Sequence, residues 1–198
     1  MKAIIFDTET TGLPKHPDAK PHVQPRVIEF GAVIVDAETG AELNRANFLI
    51  NPEVEIEEII TKITGLTNDD LRGQPTWKEI APSIMALFRD CEIMAAHNLP
   101  FDSFMLRLDN MRCGIEDWPW PRVGLCTAQE NAEIWGRRPK LLELYEHSIG
   151  KPLDQTHRAS DDAAALTEII KKEGYFEHIH SALTRANRLQ LPQGFWVN

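Results

Sequence analysis

The sequence predicts one mixed α/β domain, and three observations carry that prediction. Strand candidates come first, at 2–8, 27–36 and 43–50. Further short apolar runs, at 91–96 and 122–126, then alternate with amphipathic stretches of helical period. At 198 residues, 42% apolar and 26% charged, the chain is long enough for one full core and has the composition of an ordinary globular protein. Strands followed by strands mixed with helices give a single mixed sheet with helices on its faces. No repeat, low-complexity tract or second domain is visible. The division drawn is a main domain over 1–174 and a C-terminal helical tail over 175–198, packed on it or extending from it.

The elements follow in order. Ala3-Ile4-Ile5-Phe6 reads as a buried strand within 2–8. Ala37-Glu38-Thr39-Gly40 supplies turn residues between 27–36 and 43–50, which predicts a hairpin. Residues 55–65 and 67–72 read as short helices. Thr76-Trp77-Lys78-Glu79 is a capping-box signature ahead of a helix that runs to Phe88. A strand at 91–96, a helix at 102–112 opened by Asp102, and a strand at 122–126 come next. Helices near 127–135, 140–149, 161–173 and 176–189 complete the chain, with Gly174 as the stop of the third.

Asp7 and Glu9 stand at the end of the first strand. Residues at i and i+2 of a strand share a face, so both carboxylates point the same way, close to the core. Two acids held there repel and lose solvation, and hard oxygen ligands in such a cluster suit Mg²⁺ or Mn²⁺; two solvated acids in a turn is the alternative. Asp102 follows another buried strand, Ile93-Met94-Ala95-Ala96, and is either a ligand or a helix N-cap. His157-Arg158-Ala159-Ser160-Asp161-Asp162 leads into a strong helix former. Ser160 can cap that helix, with Asp161 and Asp162 at the positive end of its dipole, but capping leaves His157 unexplained. Taken together, Asp7, Glu9, Asp102 and Asp162 fit the ligands of a two-metal phosphoryl-transfer site. His157 fits the base that takes a proton from the attacking water.

The order and spacing of these residues resemble the DEDDh 3′–5′ exonucleases, the family that includes the proofreading ε-type subunits of bacterial DNA polymerase III. The first motif is similar to Asp7-Thr8-Glu9-Thr10-Thr11-Gly12-Leu13, and the second to His97-Asn98-Leu99-Pro100-Phe101-Asp102. The third, H-x-A-x-x-D, matches His157 to Asp162 at every fixed position. Arg26 to Val33 and Ile63-Thr64-Gly65-Leu66-Thr67 extend the likeness, which spans roughly residues 2–173. The resemblance implies an RNase H-like fold and a metal-dependent nuclease acting on single-stranded DNA or RNA 3′ ends. It also implies substrate contacts at Thr8 (through its backbone), Leu13, Ile63, Asn98 and Phe101. For Leu13 and Ile63 the competing reading is core packing. An RNA-trimming enzyme, a non-catalytic module that kept the fold and a nucleotide phosphatase remain as alternatives.

Composition constrains the rest. A net charge of −9 argues against a general nucleic-acid coat but not against a nuclease whose acids are balanced by metal. Cys91, Cys113 and Cys126 are odd in number and lack metal spacing, as expected of reduced thiols in a cytoplasmic protein. No apolar run approaches the ~18 residues of a membrane span, and the N-terminus reads as the first strand rather than a signal peptide. Arg137-Arg138-Pro139-Lys140 and the tail from His178 are small basic patches, or simply solvated surface. Trp118-Pro119-Trp120-Pro121 is a loop pinned to the core or a stacking platform for bases. The proline-rich segment 14–25, with His16 and His22, reads as an irregular loop beside the site. Gln190-Leu191-Pro192-Gln193-Gly194-Phe195 loosely resembles a sliding-clamp peptide, so a clamp or polymerase partner is a further expectation; the fourth position departs from the usual aliphatic residue.

Overall fold

The computed structural model describes residues 1–16, 19–179 and 195–197. Its strands are β1 (Lys2–Thr10), β2 (Val27–Asp36), β3 (Glu42–Leu49), β4 (Ile93–Ala96), β5 (Val123–Cys126) and β6 (Phe195–Val197). They lie in one sheet in the order β3-β2-β1-β4-β5-β6. β1, β2 and β3 are antiparallel neighbours, β4 and β5 run parallel to β1, and β6 is antiparallel to β5. The predicted mixed sheet is therefore present. The strand β6 was not expected, and most of the predicted 176–189 helix lies outside the described residues, as does the clamp-like segment up to Gly194. Residues 175–179 are helical, and Tyr175, Phe176 and Ile179 are buried.

Side-chain alternation along β1 and β2 divides the core in two. Ile4, Phe6, Phe30, Ala32 and Ile34 pack under α3 (Trp77–Phe88) and α4 (Leu99–Cys113). Phe6, Phe30 and Phe88 form an aromatic cluster there, with centroids 5.3–6.0 Å apart. Ala3, Ile5, Val33 and Val35 pack on the opposite face against α7 (Leu141–Ile149) and α8 (Ala159–Lys172). Full burial of each large side chain contributes about 1.5–3 kcal/mol, so the two layers hold the sheet from both sides. Short helices α1 (Glu58–Thr64), α2 (Asn68–Arg72), α5 (Thr127–Glu130) and α6 (Ala132–Trp135) fill the connections. The helix expected over 127–135 is thus two pieces that meet at Asn131, whose amide donates to Tyr175 Oη at 2.8 Å. Among the described residues, no helix is long and apolar enough to cross a membrane.

Two capping expectations need correction. α4 begins at Leu99 with Asn98 as N-cap and Pro100 in the first turn, so Asp102 lies inside the helix and caps nothing. Proline at such a position forfeits no hydrogen bond, which is why the helix starts before Asp102 and not at it. α8 likewise begins at Ala159 with Arg158 as N-cap, so Ser160 is not the cap. The box at α3 is present: the Glu79 carboxylate accepts from the Thr76 N–H and hydroxyl, each at 2.8 Å. Trp118 is a core anchor, stacked on Trp77 at 5.9 Å, and Arg107 lies over the Trp120 ring. Among its described residues the proline-rich loop is irregular apart from one 3-10 turn, and Arg112 of α4 ties it down by donating to the carbonyls of Gln24 and Pro25.

Candidate active site

The site forms where β1 outruns its neighbour. β4 pairs with β1 only as far as Ile5↔Ala95, while β1 continues to Thr10. Beyond Ile5 the β4-facing edge of β1 is left unpaired at the carboxyl ends of two parallel strands, on the side where chain order reverses across the sheet. Such crevices are where open α/β sheets place ligands. Asp102 fills part of the gap: its Oδ1 accepts from the Thr8 N–H at 3.1 Å and from the Thr8 hydroxyl at 2.8 Å. α4 therefore delivers a buried carboxylate to the strand end, and Thr8 is fully occupied in holding it there, N–H included.

Asp7 and Glu9 continue the odd-numbered face of β1, the face covered by α8. Cross-strand from them on β2 lie Gly31 and Glu29. Gly31 is where α8 crosses: a Cβ built there would stand 2.2 Å from Ala159 C and Ser160 N. This close approach brings the first turn of α8 onto the strand and Asp162 over Asp7 and Glu9. Glu29, fully buried, fixes the approach; it accepts from Arg158 Nη2 at 2.8 Å, Arg158 Nε at 3.0 Å and the Ala159 N–H at 3.2 Å. His157 adopts φ 49°, an uncommon left-handed conformation that turns the chain just ahead of the helix. Gln155 Nε2 donates to Asp162 Oδ2 at 2.9 Å.

These side chains share one cleft of about 240 Å³, lined by Asp7, Thr8, Asn98, Phe101, Asp102, His157 and Asp162 together with His97, Lys140, Leu141 and Gln155. Glu9 adjoins it, and potential ligand atoms of Glu9, His157 and Asp162 lie within 4.8 Å of one another. Leu13 and Ile63 are not among the lining residues. Both are exposed, 80% and 45%, so neither is the core residue that its competing reading made it.

The electrostatics are one-sided. Burial, then repulsion from Asp102, Glu9 and Asp162, pushes Asp7 well above its ordinary value. Burial and the neighbouring acids push Glu9 from 4.5 to about 8, with Arg158 the opposing influence. Asp102 rises from 3.8 to about 7 through burial, against its two Thr8 hydrogen bonds. Asp162 is raised by burial, with the Gln155 hydrogen bond and nearby His157 pulling the other way. Four acids that resist ionisation as a group, all offering hard oxygens, fit divalent cations of the Mg²⁺ or Mn²⁺ type.

Glu29, His97, Lys140 and Gln155 were missed as parts of this site. Glu29 carried a signal, an acid inside the apolar run Val27 to Val35. His97 stood in a quoted motif without a role. Gln155 carried no signal, because it reaches Asp162 only through the fold of an irregular segment.

The sequence model of the exonuclease family RNase_T matches residues 4–170. The chain is 32% identical over 166 residues to a DNA polymerase III subunit epsilon from Treponema pallidum, covering 83% of this chain and 73% of that protein. It is 30% identical over 168 residues to a PolC-type DNA polymerase III from Clostridium perfringens, covering 85% of this chain. The chain spans only 11–25% of the length of that polymerase and of two other curated relatives. Among solved structures, the nuclease domain of 3′hExo, a DEDDh family member, bound to rAMP, superposes with TM-score 0.69 at 15% identity, over 91% of this chain and 92% of that one. Exonuclease X in complex with 5′ overhanging duplex DNA superposes with TM-score 0.59 at 23% identity, over 87% and 92%. The fold is the RNase H-like fold of these neighbours, and by its matched domain and its epsilon relative the chain belongs to the DEDDh family of 3′–5′ exonucleases.

Proposed function

We propose that the chain is a metal-dependent 3′–5′ exonuclease that removes nucleoside 5′-monophosphates one at a time from single-stranded ends, with DNA the favoured substrate. The observation that carries this reading is the convergence of Asp7, Glu9, Asp102 and Asp162 at one cleft, where burial raises the proton affinity of all four. Two divalent ions held by these four carboxylates would supply positive charge to the transferring phosphoryl group and a template for its oxygens. His157 is exposed at the cleft and serves as general base: it accepts a proton from water as the water oxygen bonds to phosphorus and the bond to the 3′ oxygen breaks. Phe101 and Asn98 line the cleft and pack the terminal nucleotide, and Leu13 and Ile63, both exposed and outside the cleft lining, wedge its base. The 1–174 segment acts as the nuclease domain and 175–198 as its tail.

DNA is favoured because the sequence relatives named above are DNA polymerase III proteins; the solved neighbour with rAMP is the more distant likeness. The same relatives support a polymerase partner. The deciding experiment digests matched 3′-labelled DNA and RNA strands, linear and circular, with Mg²⁺, Mn²⁺ or EDTA. Mononucleotides released from linear DNA only with metal are expected. Efficient cutting of circles would overturn the exonuclease reading, and faster RNA decay would overturn the DNA preference.

A further inference from the structure

The basic run Arg137 to Lys140 has a definite place in the fold. It forms the connection between α6 and α7, and Lys140 at its end lines the catalytic cleft. Among the residues that line this cleft, Lys140 is the only lysine or arginine; Asp7, Asp102 and Asp162 line the same cleft, and Lys140's charge also acts on Glu143. Arg158 is bound to Glu29, and Arg137 forks onto Glu143 at 2.7 and 2.8 Å. The Lys140 side chain is exposed and, among the described residues, makes no ion pair.

Its backbone, by contrast, is fastened from two sides. The Lys140 N–H donates to Glu143 Oε2 at 2.7 Å. The preceding carbonyl, Pro139 O, lies 2.9 Å from His97 Nε2, while His97 Nδ1 lies 3.0 Å from Thr127 Oγ1. A carbonyl oxygen only accepts, so Nε2 carries the ring hydrogen and Nδ1 accepts from the threonine hydroxyl. Burial lowers the imidazole's proton affinity, in keeping with a neutral ring. His97 thus joins the β4 end, α5 and the α6–α7 connection, and its one bond to that connection falls beside Lys140.

A polynucleotide entering a cleft of carboxylates brings more charge of the same sign. The scissile phosphate is met by the site's cations, but the backbone around it needs its own counter-charge. We propose that Lys140 is a backbone-phosphate clamp for the incoming strand and that His97 is the positioning residue that holds it at the cleft. This rests on the nuclease reading above for its substrate class, though the contact itself is one of binding, not chemistry. A lysine at an exposed rim adds affinity in ground and transition state alike, so its loss falls on KM and on salt dependence.

The test measures binding of a fluorescently labelled oligothymidylate in EDTA across a salt series, alongside steady-state hydrolysis with Mg²⁺. Lys140→Ala should weaken binding and raise KM about two- to tenfold, with kcat within about twofold, and lower the salt slope by ~0.7, the amount for one single-strand phosphate contact. Lys140→Arg should restore all three. His97→Ala should reproduce the Lys140→Ala signature, and the double variant should be no worse than either single one. Unchanged affinity and slope in Lys140→Ala would overturn the clamp. Additive losses in the double variant would overturn the positioning role. Should His97→Ala fail to fold, the Lys140 pair still decides the clamp. Because binding is read without metal, wild-type protein that binds but does not hydrolyse would count against the proposed activity alone.

Discussion

Gly31→Ala is the most demanding test of how this site is built. The added methyl would sit 2.2 Å from Ala159 C and Ser160 N and 2.4 Å from Ala159 O, all backbone atoms of the first turn of α8. No rotamer change relieves a clash with backbone. Ordinary contact begins near 3.4 Å, so helix and strand must separate by about 1.2 Å, the difference between 3.4 and 2.2. Overpacking of this kind costs about 1–3 kcal/mol. For a domain of this size that lowers the melting temperature by roughly 2–12 °C, at ~2–4 °C per kcal/mol.

The effect on turnover should exceed the effect on stability. α8 carries Asp162 in its first turn, and His157 and Arg158 immediately precede it, so a displaced helix would withdraw the proposed ligand, the proposed base and the Glu29 partner together. A misplacement of about 1 Å costs on the order of 10²-fold in rate. Melting of the purified variant and single-turnover hydrolysis of a linear strand, both at saturating Mg²⁺, measure the two losses. Gly65→Ala supplies the contrast: its backbone is left-handed, φ 73°, as that of Gly31 is not, but nothing lies within 4 Å of an added Cβ, so only local backbone strain is added. A Gly31→Ala protein that melts and turns over like wild type would refute the close helix–strand approach as the source of the site geometry.

Three further expectations concern charge. Asp7→Asn should abolish most activity while the metal-free protein still folds, because one of several mutually repelling acids is removed; full activity would sink the assignment. Glu9 protonates near 8 in the folded state against 4.5 ordinarily, and Asp102 near 7 against 3.8. Between those values the folded protein holds more protons than the unfolded chain, so metal-free stability should fall as pH rises from about 4.5 through 8. Saturating Mg²⁺ or Mn²⁺, at ~100 times Kd, should restore about 2.7 kcal/mol per site, and more effectively at high pH because metal and protons compete; pH-independent melting without metal would contradict this. His157→Ala should lose roughly 10²–10⁴-fold in turnover with metal affinity retained, and loss of metal-dependent stabilisation would make His157 a ligand instead.

The sheet was legible because the apolar runs of β1 and β2 are nearly unbroken and end at turn residues. The carboxylate set was legible because Asp7 and Glu9 sit two apart on a strand, and the third motif matched at every fixed position. Helix starts were misread at α4 and α8 for one reason: a polar residue suited to capping drew the boundary inward, while Pro100 and the Arg158–Glu29 pairing allowed each helix to begin earlier. Supporting residues were the least legible. Glu29 and Arg158 are 129 positions apart, and His97 and Pro139 are 42 apart; such pairs exist only once the sheet has formed. For Leu13 and Ile63 it is the competing reading, core packing, that fails, since the fold leaves both exposed.

The supporting pairs explain how the fold tolerates its own active site. Four acids that repel one another favour any displacement that separates them, and the easiest is to lift α8 away, because Asp162 arrives on it and not on the sheet. Glu29 opposes that displacement: it is fully buried, and its acceptors are filled by Arg158 and the first N–H of α8. Lifting α8 would take these partners from a buried carboxylate, which costs several kcal/mol. Gly31 removes the steric obstacle and Glu29 adds the electrostatic latch, on adjacent odd positions of β2 and directly across from Asp7 and Glu9. The second strand thus holds, against their mutual repulsion, the ligands that the first strand and α8 present. On this account the repulsion falls on carboxylates that cations can neutralise, while Glu29 and Gly31 fix where α8 meets the strand.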